Sequence, residues 1–141
     1  MNLGSLGFSA SIFFAAIGSA FGAGAAGMAA IGAWKKCFIQ NKPAPFLLVA
    51  FVGAPLTQII YGMILMNAIK AVPEPTLEHF GIGVFGGIAM GFSAYFQGKA
   101  GATAADALAE TGKGFANYLL VLGLIETVAL FVMVFLLGTV R

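Results

Sequence analysis

Four runs of apolar residues, at about positions 5–34, 45–69, 77–110 and 115–140, fill nearly all of this 141-residue chain. Each is longer than the about 20 residues that a helix needs to cross a bilayer. With 60% hydrophobic residues, 9% charged residues and a mean hydropathy of +1.00, the chain is too apolar for a soluble domain with a solvated surface. The sequence therefore predicts an all-α membrane protein, a single domain over residues 1–141 built from four transmembrane helices. No Lys or Arg precedes the first apolar run, so it lacks the charged start of a cleavable signal peptide, and the first helix is expected to be retained.

Charge sits in the turns. Lys35, Lys36 and Lys42 flank the first turn and Lys99 and Lys113 the third, whereas the second has Lys70 against Glu74 and Glu78. The positive-inside rule then predicts a multi-pass protein of the cell membrane with the first and third turns cytoplasmic and both termini outside. A formal net charge of +2 spread over short loops offers no basic face for nucleic acid. Cys37 is the single cysteine, which excludes an internal disulfide or a cysteine-based metal site; it reads as a loop thiol. Trp34 reads as a headgroup-level anchor and His79 as an interfacial residue beside the outer turn.

The chain contains a weak internal duplication. Setting Phe21 against Gln97 aligns the segment before Gly22 with the segment before Gly98 at an offset of 76, and Leu56-Thr57 then matches Glu126-Thr127 at an offset of 70. Each repeat holds two helices, so both hairpins have the same orientation across the membrane, the parallel-repeat arrangement. Helices 1 and 3 carry small residues spaced by four, Gly18, Gly22 and Ala26 on one and Gly83, Gly87 and Gly91 on the other. Such rows allow backbones to approach closely. Helices 2 and 4 carry the bulk, which predicts a tight inner layer and a looser outer one, as in a ring of hairpins around a narrow axis. The Pro43-Ala44-Pro45 and Pro73-Glu74-Pro75 segments mark loops.

Glu126 is the charged residue of an otherwise apolar run from Tyr118 to Val140, and intramembrane ionisable groups mark ion or proton paths. Gln97 and Glu126 are 29 residues apart, with their midpoint in the third turn; in an antiparallel hairpin they lie at equal depth and meet. Ala54, Thr57 or Gln58, and Tyr61 follow helical spacing on one face of helix 2. Gln58 and Gln97 are nearly equidistant from the second turn, so that face reaches a similar depth. The cluster is then a carboxylate, two amide carbonyls and a hydroxyl, together with whatever backbone carbonyl Pro55 frees; the acceptor it strictly deprives is that of Phe51. Oxygen-only donors with one negative charge suit a hard monovalent cation, and sodium is expected. Tyr61 is placed to donate to Glu126 and orient it. The plainer reading of Gln58, Gln97 and Thr57 is interhelical hydrogen bonding that ties a bundle together.

The run Pro55-Leu56-Thr57-Gln58-Ile59-Ile60-Tyr61-Gly62, the step Gln97-Gly98-Lys99 and the segment Leu124-Ile125-Glu126-Thr127 together resemble the four-helix ring proteolipid, the K or c-type subunit, of bacterial V-type sodium-transporting ATPases. The resemblance extends over essentially the full chain. It implies a sodium ion held by Glu126, Gln97, Gln58, the Thr57 hydroxyl and the backbone carbonyl of Ala54, with Tyr61 as hydrogen-bond partner of Glu126. It also implies a rotor ring of identical subunits, a stator membrane subunit supplying a compensating arginine, and central-stalk subunits at the cytoplasmic loops. Two residues depart from the familiar pattern: Ala54 stands where a leucine is usual, and Leu56 replaces a customary glycine.

The chain has no Walker loop or other phosphate-binding signature; ATP hydrolysis must lie on other subunits, and the chain is not an enzyme on its own. A rotor subunit that transports H⁺ in place of Na⁺ is the nearest rival, followed by a small secondary transporter with substrate between its repeats and by a structural or channel-forming bundle.

Overall fold

A computed structural model describes residues 3–141, and every element among them is helical: α1 (Leu3–Ile39), α2 (Leu48–Gly53), a 3₁₀ turn (Ala54–Leu56), α3 (Thr57–Lys70), α4 (Leu77–Thr111) and α5 (Phe115–Leu137). The second membrane span is α2, the 3₁₀ turn and α3 together. Four spans are thus long and apolar enough to cross a bilayer, and the chain is a multi-pass membrane protein. At about 1.5 Å per residue the second span and α5 are about 35 Å long, close to the hydrocarbon core, whereas α1 and α4 exceed about 50 Å and project beyond it.

Local chemistry sets where each helix stops. Leaving the apolar run does not end α1: Lys35 and Lys36 are good helix formers, and the helix continues five residues past the expected Trp34. It stops at a left-handed Asn41, φ 53°, where the Lys42 N–H bonds the Cys37 carbonyl and the Asn41 N–H bonds that of Phe38. This is the crossed bonding of a Schellman cap. Cys37 is consequently a buried residue of the last helical turn and not a loop thiol. At the other side of the membrane, Thr76 caps α4, and His79 completes a capping box by accepting the Thr76 backbone N–H at Nδ1, 3.0 Å away. His79 is therefore buried at the start of α4, beside the second turn, and caps the helix there. The third turn needs left-handed backbone twice, at Gly112 and Gly114, which only glycine adopts without cost.

The glycine rows bring α1 and α4 together in parallel. A Cβ at Gly18 would collide with the backbone of Gly91, one at Gly83 with Gly7 and one at Gly98 with Gly22. The Gly7–Gly83 and Gly22–Gly98 pairs are both 76 residues apart, the offset that sets Phe21 against Gln97. The second span lies on this pair. Gly62 packs against Ala15 and Ser11, and the Ser11 hydroxyl bonds the Gly62 carbonyl at 3.1 Å. The fourth span, α5, buries only Leu122, Ala129 and Met133 and leaves Leu124, Phe131 and Phe135 exposed. One layer is thus small and tightly joined, the other bulky and loosely held.

Two apolar clusters fill the space between layers, one around Phe51, Leu108 and Leu122 and one around Leu65, Met90 and Met133. On the second span, α4 and α5 alike, polar side chains occupy the depth between them.

Gly18→Val forces a side chain into the backbone of α4, and we expect a loss of about 3 kcal/mol or more. A Cβ at Gly24 meets nothing within 4 Å, and Gly24→Ala is expected to stay within about 0.5 kcal/mol of the parent. Thermal denaturation of the purified protein in detergent separates the two.

Candidate ion-binding site

Pro55 shapes the first wall of the site. It has no N–H for the carbonyl of Phe51, and the chain tightens into the 3₁₀ turn, in which the Thr57 N–H bonds the Ala54 carbonyl. The Phe51 carbonyl turns toward α4, where Gly101 leaves room for it: a Cβ there would lie 2.9 Å from that oxygen. The altered pitch also brings the Thr57 hydroxyl within 3.1 Å of the Ala54 carbonyl and 3.1 Å of Gln58 Oε1. One hydroxyl proton therefore stands between two acceptor oxygens at equal distance.

The opposite wall comes from α4 and α5. Gln97 is fully buried. Its Nε2 donates to the Leu122 carbonyl at 3.0 Å and to Glu126 Oε2 at 3.2 Å, while its Oε1 accepts from Gln58 Nε2 at 2.8 Å. The Tyr61 hydroxyl donates to Glu126 Oε1 at 2.7 Å. Each oxygen of the half-buried carboxylate thus receives one hydrogen bond, one from α3 and one from α4.

All six residues singled out in the sequence meet here. Gln97 and Glu126 are in direct contact, as their equal distance from the third turn requires. Ala54, Thr57 and Gln58 form one continuous oxygen-bearing edge, and Tyr61 closes the carboxylate. The repeat partner of Glu126, Leu56, is exposed and contributes nothing to the cluster. Thr127 bonds back to its own helix at the Leu124 carbonyl, 2.6 Å away, and takes no part.

One further residue joins the cluster without having stood out in the sequence. Ser93 donates to the Ile125 carbonyl at 2.9 Å, and its Oγ lies 3.5 Å from Gln58 Nε2. It sits four residues before Gln97, on the same helical face, and that spacing is the signal that could have identified it. Among so many Gly and Ala residues it reads as one more small side chain.

Other polar groups lie at the helix ends. Lys36 pairs with Glu110 and lies 3.9 Å from Asp106, joining the end of α1 to that of α4. The Trp34 indole N–H donates to the Pro45 carbonyl at 2.7 Å, fastening the first turn.

Residues 80–137 match the family model for the C subunit of ATP synthase. The match covers nearly all of α4 and α5, with Ser93, Gln97 and Glu126 inside it, and does not reach the Ala54–Tyr61 edge. The second hairpin is thus similar to the C subunit of ATP synthase, over less than half of the chain. No curated protein matches the chain.

Replacing Gln97 by Leu takes the 2.8 Å acceptor from the buried Gln58 amide and the donor from Glu126 Oε2, and a buried polar group that loses its partner costs about 1–3 kcal/mol. Gln97→Leu is expected to lower the melting temperature in detergent clearly, and Thr127→Val to leave it nearly unchanged.

Proposed function

We propose that this chain is the ion-carrying subunit of a V-type rotary ATPase, that it assembles with identical copies into a rotor ring, and that each copy binds one Na⁺. The observation that carries this reading is the excess of acceptors at mid-depth. The Ala54 carbonyl, Thr57 hydroxyl and Gln58 carbonyl converge with a single hydroxyl proton among them, beside Gln97 and the carboxylate of Glu126. Lone pairs crowded in this way are relieved by a cation. One carboxylate balances one positive charge, and neutral oxygens suit a hard ion. The match of the second hairpin to a rotor family supports a rotor over a secondary transporter.

In this reading the ligands are Glu126, Gln97, Gln58, the Thr57 hydroxyl and the Ala54 carbonyl, with Tyr61 orienting the carboxylate. A bound ion neutralises Glu126, and the site can then pass the lipid. An emptied, charged Glu126 stays beside a compensating arginine of a stator subunit, and this dependence of movement on occupancy gives the ring direction. Moving each charge against a potential of about 100 mV takes about 2.3 kcal/mol, which ATP hydrolysis on other subunits supplies. The turns that bear Lys35, Lys36, Lys42, Asp106, Glu110 and Lys113 face the cytoplasm, where central-stalk subunits meet the ring. The termini lie outside.

A hydrophobic carbodiimide modifies Glu126 only while the carboxyl group is free. Sodium is expected to protect it at neutral pH in membranes that hold the assembled ring, whereas potassium at the same ionic strength is expected not to. Labelling that follows pH and ignores sodium would identify the proton as the cargo and reject the sodium reading.

A further inference from the structure

An amide side chain has a donor end and an acceptor end, and a cation needs the acceptor. What decides which end of Gln58 faces the Thr57 hydroxyl is therefore part of the site. The order of donors can be followed from the backbone of α5. The Ile125 carbonyl can only accept, so Ser93, 2.9 Å away, gives it its one proton. The Ser93 oxygen, 3.5 Å from Gln58 Nε2, then has only lone pairs to offer, and it accepts an N–H and repels a carbonyl. Nearly one turn earlier the Leu122 carbonyl does the same to Gln97. It takes an N–H of Nε2 at 3.0 Å, which turns Gln97 Oε1 toward Gln58, 2.8 Å from its Nε2. Both hydrogens of the Gln58 amide thus have acceptors on one side, and Oε1 is left on the other, 3.1 Å from Thr57 Oγ1.

We propose that Ser93 is a positioning residue of the cation site: it transmits the polarity of the Ile125 carbonyl to Gln58 and so holds the Gln58 carbonyl oxygen beside Thr57 and Ala54. The 3.5 Å contact is too long to contribute much strength. Its effect is on direction, because a reversed Gln58 would present its carbonyl to two oxygens, Ser93 Oγ and Gln97 Oε1, in a buried place. Ser93 also ties the carbonyl immediately before Glu126 to α4, so one hydroxyl fixes the position of a ligand on α3 relative to the carboxylate-bearing helix. This assignment rests on the sodium reading above.

The test uses the assembled ring in membranes and measures two quantities, the rate at which carbodiimide modifies Glu126 without sodium and the sodium concentration that halves that rate. Loss of a group that orients a metal ligand typically weakens binding about 10- to 100-fold. Ser93→Ala is therefore expected to raise the half-protecting sodium concentration by about 10-fold or more. The sodium-free rate is read beside it, because Ser93 bonds the carbonyl next to Glu126 and a displaced carboxylate would show there. Ser93→Thr, which keeps the hydroxyl, is expected to restore protection to within about threefold. If the alanine chain does not assemble, Ser93→Cys, of similar size but with a weak donor and acceptor, is expected to shift in the same direction as alanine. Unchanged protection in Ser93→Ala overturns the assignment. So does an equal loss in alanine and threonine, or a sodium-free rate that changes in parallel, because either points to packing. Absence of sodium protection in the unaltered ring overturns the sodium reading itself and this assignment with it.

Discussion

A carboxylate set among membrane helices has to be matched by something, and the pairing of Glu126 with donors from two other helices is the constraint around which this structure is arranged. Tyr61 of α3 and Gln97 of α4 each supply one hydrogen bond to it. An ionisable group at this depth costs several kcal/mol unless it is paired, protonated or coordinated. The hydrogen bonds give each carboxylate oxygen of Glu126 a partner within the fold, and in the function proposed above a cation supplies the charge balance that neutral donors cannot.

Bringing three helices to one point depends on the parts of the chain with no chemistry of their own. The glycines of α1 and α4 bring those backbones into contact, which fixes the depth of Ser93 and Gln97. The second span then rests on α1 through Gly62, and its 3₁₀ turn at Pro55 presents three oxygens in succession where a regular helix would send its carbonyls along its own axis. Apolar clusters on either side keep this polar layer at one level. Packing, backbone pitch and ligand placement are therefore one problem, and bulk added to the glycine face would be felt at the site.

Much of this is legible in the sequence because it follows from counting. Helix length, the equal distance of Gln97 and Glu126 from a turn, and the spacing of Ala54, Thr57, Gln58 and Tyr61 all translate directly into depth and face. The glycine rows likewise indicate which helices touch. What escapes depends on direction and on local capping. Hydropathy marks where lipid ends, not where a helix ends, so it places the end of α1 five residues short and puts Cys37 in a loop. The capping role of His79 depends on the turn of the backbone at Thr76, which composition does not record. Spacing identifies the carbonyl that Pro55 deprives, that of Phe51, but not the one the 3₁₀ turn brings to the cluster, that of Ala54. Ser93 escapes because a serine among glycines and alanines looks like a small residue until its hydroxyl is seen to bridge two helices.

The central claim is that Glu126 and its neutral oxygen neighbours retain an alkali cation. Equilibrium dialysis of the purified ring against radioactive sodium tests this without transport, ATP or a stator. The account predicts saturable binding of one sodium per chain, abolished by Glu126→Gln. A ring that retains no sodium, or one that retains as much after Glu126→Gln, would contradict it.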